Sequence, residues 1–184
     1  ADRVLEQTGG TFIPPYNHPD VIAGQASIAL ELAEQVSELS AIVAPVGGGG
    51  MLAGISLAAQ HVLPETLVFG AEPHGADDAA RSKSTGERVL QHVPDTIADG
   101  LLTTLGELTW PVIRDLVRTI FTVSDAETVE AMRLLFERMK LVVEPSAAVP
   151  LAVILSPAFR DLPGLERVAV VLSGGNVDLE KLPW

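Results

Sequence analysis

AIVAPVGGGGMLAG, residues 41–54, is a segment in which four consecutive glycines separate an apolar run from a helical pattern. The run Ala41–Val46 predicts a buried strand, and the pattern that starts at Met51 predicts a helix. Glycines accept backbone angles closed to other residues and leave the N–H groups uncovered. The start of the helix adds unpaired N–H groups and a positive dipole end. Because a strand precedes the glycines and a helix follows them, the segment predicts a phosphate-binding turn in preference to a flexible loop.

The rest of the chain alternates predicted strands and helices. Thr66–Ala71 is a second apolar run, so residues 41–71 form the strand–helix–strand unit of a parallel sheet. Further strands are expected at Thr11–Ile13, Ile120–Val123 and Arg167–Leu172. Helices are expected at Val21–Leu39, Leu52–Leu63, Trp110–Val117 and Ser124–Lys140, and a short helix is expected after Glu144-Pro145-Ser146. Ser124 and Glu127 form a capping box at the start of their helix. Residues 73–106 are expected to be mostly loop. The order predicts an α/β fold with a mainly parallel, twisted sheet and helices on both faces.

Composition narrows the classes of partner. The chain has 184 residues, no cysteine, 47% hydrophobic residues and a mean hydropathy of +0.32, which is typical of one globular domain. Its net charge of −12 disfavours nucleic acid and anionic membranes as partners, because lysine and arginine supply that attraction. No apolar run approaches the length of a membrane span, and we expect a cytoplasmic protein. With so few cations, a bound phosphate must be held mostly by backbone dipoles.

Three marked segments follow predicted strands directly. They are Gly47–Gly50, Glu72 with the loop after it, and Ser173–Asn176. The carboxyl ends of parallel strands meet at one edge of a sheet, and ligands of such sheets bind there. The sequence therefore predicts one ligand site to which all three segments contribute.

The chemistry of the ligand stays open at the level of single motifs. Gly48-x-Gly50-x-x-Ala53 also fits a loose dinucleotide fingerprint, with Glu72 at the end of the next strand as a ribose-binding acid. A nicotinamide or flavin enzyme is therefore an alternative. This alternative leaves the glycine pair after Ser173 unexplained.

Two further motifs each allow two interpretations. Glu72, Asp77 and Asp78 form either a site for a hard cation, completed by carbonyl oxygens and water, or a solvated acidic loop. The hydroxyl of Ser173 either hydrogen-bonds a heteroaromatic ring nitrogen or caps the next turn. The four histidines show no ligand spacing, and no pair of nucleophile and base is visible.

Taken together, the motifs resemble the fold-type II pyridoxal-phosphate enzymes, and within them the serine racemase and serine/threonine dehydratase family. The segments that carry the resemblance are Val21–Gln25, Val46–Gly54, Ala71–Pro73 with Ala76–Asp78, Thr96–Gly100, Glu137–Leu141 with Glu144-Pro145, and Ser173–Asp178. The resemblance runs from end to end of the chain. It implies pyridoxal 5'-phosphate as cofactor and a small amino acid as substrate, with racemisation and β-elimination of serine to pyruvate and ammonia as the activity.

The resemblance also implies roles for individual residues. The cofactor-binding residues would be Gly47, Gly48, Gly49, Gly50 and Met51 at the phosphate, Ser173 at the pyridine nitrogen, and Gly100 and Glu144 close to the ring. A neutral serine at the ring nitrogen would leave that nitrogen largely unprotonated. Glu72, Asp78 and the carbonyl of Ala76 would form a Mg²⁺ site that also accepts Ca²⁺ or Mn²⁺. Arg138, Lys140 and Asn176 would bind ATP near the interface of a homodimer.

The resemblance covers only the C-terminal part of the family's chain. Residues 1–19 would end the small domain, and residues 20–184 would belong to the large cofactor-binding domain. The Schiff-base lysine and the acid/base serine of the family lie in the N-terminal part, and the lysines here, Lys83, Lys140 and Lys181, sit in no such motif. We therefore expect this chain to be inactive alone and to need an N-terminal portion as its partner.

Two departures from the family pattern affect the expected reaction. Tyr16 stands where racemases carry an asparagine, and Ser146-Ala147-Ala148 replaces a Thr-Ala-Gly sequence. The alternatives are a threonine or hydroxyaspartate dehydratase of the same fold, or a non-catalytic fragment or binding module.

Overall fold

Four parallel strands form a single sheet in the computed structural model, which describes all residues from Ala1 to Trp184. In chain order they are β1 (Ala41–Pro45), β2 (Leu67–Pro73), β3 (Thr119–Val123) and β4 (Val168–Val170), and their spatial order is β3-β2-β1-β4. The register pairs Ala41 with Leu67 and with Val168, and Phe69 with Thr119. All pairings are parallel, so the carboxyl ends of the strands share one edge.

Nine α-helices surround the sheet. They are α1 (Asp2–Thr8), α2 (Pro19–Gln25), α3 (Ser27–Gln35), α4 (Gly50–Val62), α5 (Asp78–Thr85), α6 (Thr109–Leu116), α7 (Asp125–Leu134), α8 (Pro145–Leu155) and α9 (Pro157–Arg160). Short 3₁₀ turns lie at His74–Ala76 and Asp99–Leu101, and a π turn at Leu135–Met139 extends α7. None of these helices combines the length and the apolar character needed to cross a bilayer.

The central strand β1 divides two apolar cores. Ala41 and Val43 face a core that includes α7 and α8, whereas Ile42 and Ala44 face a core that includes α3, α4 and α6. Alternate residues of a strand point to opposite faces, so a strand covered on both sides is apolar throughout. The α/β class with a parallel sheet and helices on both faces is confirmed.

Several predicted elements differ from the structure. The strand predicted at Thr11–Ile13 is wrong, because these residues pair with no strand, and Phe12 and Ile13 are 56% and 66% exposed. The helix expected at Val21–Leu39 is broken at Ala26 and ends at Gln35. The end of α2 and the break pack closely on α4, since a Cβ on Gly54 would lie 2.4 Å from the Ile22 carbonyl oxygen and 2.9 Å from the Ala26 nitrogen.

The region 73–106 contains a helix that the sequence prediction missed. Its sequence, DAARSKST, is too polar to show an apolar stripe, and it forms α5. The helix after Glu144 is 11 residues long although Pro150 lies inside it. The capping box at the start of α7 is confirmed, with Ser124 and Glu127 bonded to each other's backbone N–H groups.

Candidate cofactor site

The glycine turn after β1 presents a row of unpaired N–H groups. Gly48, Gly49 and Gly50 are buried, and Gly49 has a φ of +85°, a left-handed conformation that favours glycine. The N–H groups of residues 47–51 donate to no acceptor within the chain. Buried N–H groups are rarely left without a partner, so the turn is built to receive an acceptor from outside the chain.

On the side away from the cavity, a carbonyl group of the same turn is hydrogen-bonded to the segment at the start of α6. The Gly48 oxygen accepts a hydrogen bond from the Thr109 hydroxyl at 2.8 Å and a second from the Gly106 N–H at 3.2 Å. Both donors lie at or just before the start of α6 and neither lines the cavity in front of the turn. The turn is therefore fixed on one side and open on the other.

A cavity of about 320 Å³ lies in front of the glycine turn, at the carboxyl edge of the sheet. Its lining includes every residue predicted to bind the cofactor: Gly47, Gly48, Gly49, Gly50, Met51, Gly100, Glu144 and Ser173. The volume is at the small end of the range of small-molecule sites. The structure thus brings these residues together, while the part that each plays stays a prediction.

Glu144 is the one charged side chain on the cavity wall. Its Oε2 accepts a hydrogen bond from the Asn176 N–H at 2.9 Å, and its own N–H donates to the Gly174 oxygen at 3.1 Å. A Cβ on Gly174 would lie 2.9 Å from Oε2, so only glycine permits this carboxylate position. The loop after β4 and the start of α8 therefore orient the Glu144 carboxylate jointly.

Serine and threonine residues also line the cavity and contribute hydroxyl groups. The Ser173 hydroxyl makes no hydrogen bond within the chain and is available to a ligand. The Ser146 hydroxyl accepts from the Gly100 N–H at 2.9 Å and holds the loop that carries Gly100. Thr103 also lines the cavity, and its Oγ1 would lie 3.2 Å from a Cβ on Gly47. Sequence reasoning missed Thr103, although it follows Gly100 by three residues in the loop already marked.

A second, separate cluster contains the predicted metal ligands. Glu72 and Asp78 are 0% and 1% exposed, and Ala76 between them is 1% exposed. The Glu72 oxygens accept from the N–H groups of Ala79 and Ala80, at 3.1 Å and 2.8 Å, and so cap the start of α5. The Ala76 carbonyl accepts no hydrogen bond within the chain.

Burial controls the protonation of this pair of carboxyl groups. Desolvation, with the Asp78 charge as a smaller contribution, raises the pKa of Glu72 well above its usual range. Burial also raises the pKa of Asp78, although a hydrogen bond from the Leu105 N–H at 3.1 Å opposes this shift. No cluster of three or more acidic or histidine side chains is placed to hold a metal. Two buried carboxylates and one buried, unpaired carbonyl nevertheless fit the oxygen ligands of a hard cation.

The position of Glu72 excludes the dinucleotide alternative, which required this residue to bind a ribose. A ribose-binding acid must reach the ligand, but Glu72 is fully buried and both of its oxygens face α5.

The predicted nucleotide residues Arg138, Lys140 and Asn176 are all exposed. Arg138 belongs to the π turn and Lys140 follows it, and the next residues of that segment meet the loop of Asn176, since a Cβ on Gly175 would lie 2.7 Å from the Val142 oxygen. Lys140 adopts a φ of +59°, and its ammonium group donates to the Glu137 oxygen at 2.7 Å.

The open glycine turn, the cavity and the free Ser173 hydroxyl define a site for a small molecule that carries an anionic group. The family of pyridoxal-phosphate dependent enzymes matches residues 1–174, and the chain belongs to this family. Pyridoxal phosphate fits the observed site, because the turn offers N–H donors without partners to a phosphate and the adjoining cavity offers a hydroxyl to a ring nitrogen.

Individual relatives agree with the family. The chain is 49% identical over 185 residues to serine racemase from Arabidopsis thaliana, an alignment that covers 99% of this chain and 56% of that protein. It is 51% identical over 184 residues to beta-hydroxyaspartate dehydratase from Paracoccus denitrificans (strain Pd 1222), covering 99% of this chain and 57% of that protein. The solved structure of maize serine racemase matches with a TM-score of 0.92 and 44% identity, covering 97% of this chain and 55% of that one. The chain thus spans little more than half the length of these relatives.

Proposed function

We propose that these residues belong to a pyridoxal-phosphate enzyme that racemises serine and β-eliminates it to pyruvate and ammonia. The observation that carries the proposal is a single cavity. Residues 47–51, whose N–H groups have no partner in the chain, line it together with Ser173 and Glu144. The names of the relatives from Arabidopsis thaliana and maize support serine as the substrate.

The residues of this chain bind and orient; they do not themselves transfer the substrate proton. The N–H groups of the glycine turn would bind the phosphate, and the Ser173 hydroxyl would donate a hydrogen bond to the ring nitrogen and so orient the ring. Because Ser173 is neutral, it does not favour a proton on that nitrogen as a carboxylate would. Pyridoxal phosphate, when bound, supplies the electron sink that makes the Cα–H bond of an amino acid acidic.

The lysine that binds the cofactor covalently is proposed to lie outside these residues. Lys83, Lys140 and Lys181 are the lysines of the chain, and none of them lines the cavity. Lys83 instead donates to the last carbonyl groups of α6, at Ile113 and Arg114. We infer that the 184 residues alone are inactive and work with an N-terminal portion of the same enzyme.

The exposed N-terminal residues support the proposed division into domains. None of the residues of α1 is buried, and Phe12 and Ile13 are largely exposed. We propose that residues 1–19 complete a small domain and that residues 20–184 form the C-terminal part of the large one. A homodimer, a divalent cation at Glu72, Ala76 and Asp78, and ATP at Arg138, Lys140 and Asn176 belong to the same proposal.

A hydroxyaspartate or threonine dehydratase is the second candidate. The observation that favours it is the 51% identity to the dehydratase from Paracoccus denitrificans, together with the ring of Tyr16 at the position where an amide is expected in racemases. Both candidates use the same cofactor site and differ in the substrate.

The test is an assay of the natural-length protein with L-serine, L-threonine and 3-hydroxyaspartate. Chiral analysis measures D-serine, and a coupled assay measures the oxo acids. D-serine and pyruvate from L-serine would support the first proposal. Oxo acid from 3-hydroxyaspartate or threonine without D-serine would support the second, and no reaction with any of them would contradict both.

A further inference from the structure

Thr109 is a fully buried polar residue that lies behind the glycine turn. It is 0% exposed and is the first residue of α6. Its hydroxyl donates to the Gly48 oxygen at 2.8 Å and accepts from the Gly106 N–H at 2.9 Å. The hydroxyl thus joins two segments that lie 61 residues apart in the chain.

The hydrogen bond from Thr109 determines which way one peptide group faces. All peptide bonds in the structure are trans, so the Gly48 carbonyl and the Gly49 N–H point in opposite directions. With the carbonyl bonded to α6, the Gly49 N–H points away from α6 and has no acceptor in the chain. Rotation of this peptide group would turn a carbonyl oxygen toward the anion and a donor away from it.

We propose that Thr109 is a positioning residue for the cofactor: its hydroxyl holds the Gly48–Gly49 peptide group with the N–H toward the bound phosphate. The inference rests on the proposed function, because it takes the phosphate of pyridoxal phosphate as the anion. Thr109 itself does not line the cavity, so it would act on the phosphate only through the Gly48–Gly49 peptide group.

Hydrogen bonds hold the segment that carries Thr109 at several points, so the position of the Thr109 hydroxyl is fixed. The Leu105 N–H donates to Asp78 Oδ2 at 3.1 Å, and the Leu108 N–H donates to Asn17 Oδ1 at 2.9 Å. A Cβ on Gly106 would lie 2.4 Å from Asn17 Oδ1, so the packing at this point is tight. These contacts leave the start of α6 little room to follow a shift of the turn.

The experiment compares the affinities for pyridoxal phosphate and for pyridoxal, which lacks the phosphate, in the natural-length protein. Thr109→Val keeps the shape and removes the hydroxyl, whereas Thr109→Ser keeps the hydroxyl. Thr128→Val is the matched control, because Thr128 is also 0% exposed and its hydroxyl donates to the Ser124 oxygen within α7, away from the cavity. Fluorescence titration gives the two dissociation constants, and thermal unfolding measures stability.

We expect Thr109→Val to weaken pyridoxal phosphate binding about tenfold and to leave pyridoxal binding unchanged. Thr109→Ser and Thr128→Val should retain the wild-type ratio of the two affinities, although Thr128→Val also lowers the melting temperature. A Thr109→Val protein that loses affinity for both compounds equally, or for neither, would overturn the inference. A wild-type protein that binds pyridoxal as tightly as pyridoxal phosphate would instead contradict the proposed phosphate site, and the inference with it.

A measurement on the wild-type protein covers the case in which Thr109→Val does not fold. Hydrogen exchange of the Gly106 N–H reports on its contacts with the Thr109 hydroxyl and the Gly48 oxygen. Pyridoxal phosphate should slow this exchange more than pyridoxal does, because the phosphate fixes the turn from the other side. Equal protection by the two compounds would overturn the inference.

Discussion

The ring of Tyr16 lies directly on Gly48: a Cβ added to Gly48 would come within 2.2 Å of Cγ and Cδ2 of the ring. Gly50 is almost as close, since its Cβ would lie 2.9 Å from the Tyr16 Cα. Gly49 alone among these glycines has a positive φ. Gly48 and Gly50 are therefore required for the close approach of Tyr16, and Gly49 for the direction of the chain.

We predict that Gly48→Ala weakens pyridoxal phosphate binding by at least about tenfold, because the added methyl group displaces the Tyr16 ring or the turn itself. Gly24→Ala is the matched control, since nothing lies within 4 Å of its added Cβ. Titration of the purified variants measures the affinities.

The double variant Gly48→Ala with Tyr16→Ala provides the decisive comparison. Removing the ring relieves the clash, so the double variant should regain part of the affinity lost in Gly48→Ala. If the two substitutions are simply additive, contact with Tyr16 is not the reason for glycine at position 48.

The second prediction concerns Asp78, which lies beside Glu72 and shares its burial. Asp78→Asn keeps an oxygen for the Leu105 N–H and removes one of two neighbouring buried charges. Without divalent cations at neutral pH, the variant should be more stable than the wild type by about 1 kcal/mol, or roughly 3 °C in melting temperature. Added Mg²⁺ or Ca²⁺ should stabilise the wild type and leave Asp78→Asn unaffected.

Asp77→Asn is the control for this experiment. Asp77 is the neighbouring carboxylate, but it pairs with Arg81 at 2.8 Å and is partly exposed. Its variant should keep the full response to the cation in thermal unfolding. A response that survives in Asp78→Asn would place the cation elsewhere.

The third prediction is the pH dependence that follows from the raised pKa values of Glu72 and Asp78, which burial causes. Both groups release their protons at lower pH in the unfolded chain than in the folded one. Between the ordinary and the raised pKa values the folded state therefore binds more protons, and stability falls as pH rises. This contribution is complete below about pH 4 and lost above the raised values.

Thermal unfolding from pH 4 to pH 8, in a metal chelator, tests this sign. The melting temperature of the wild type should fall relative to that of Asp78→Asn as the pH rises. Mg²⁺ should reduce the difference most at high pH, because it binds deprotonated carboxylates. A difference that grows toward low pH would contradict the prediction.

The fourth prediction separates backbone strain from ligand binding at Lys140. Its φ of +59° is unfavourable for a residue with a side chain, so Lys140→Gly should not lower stability and should raise it by about 0.5 kcal/mol. If Lys140 binds ATP, the same variant loses affinity for ATP, as calorimetric titration would show. Glu38→Gly relieves the other positive φ, of +54°, and should leave the ATP affinity unchanged. Equal ATP affinity in all three proteins would remove Lys140 from the nucleotide site.

The sequence by itself determined the class of fold and the place of the site. Strand β1 and residues 67–71 of β2 are apolar runs because both faces of the sheet are covered, and such runs are recognisable without coordinates. The glycines at 47–50 and the segment after β4 could be assigned to one edge because the carboxyl ends of parallel strands always meet there. The capping box of α7 was predictable because its two residues lie three positions apart.

Only the tertiary structure decided the contacts that join distant segments. The polar helix α5 shows no apolar stripe, and the carboxylate that caps its start is Glu72 at the end of β2, not the side chain of the N-cap residue Asp77. The Thr109 hydroxyl meets Gly48 across 61 residues, and Glu144 meets Asn176 across 32. A hydrogen bond between such segments leaves no periodic pattern in the sequence, because its two partners become neighbours only after the strands have paired and the helices have packed on them.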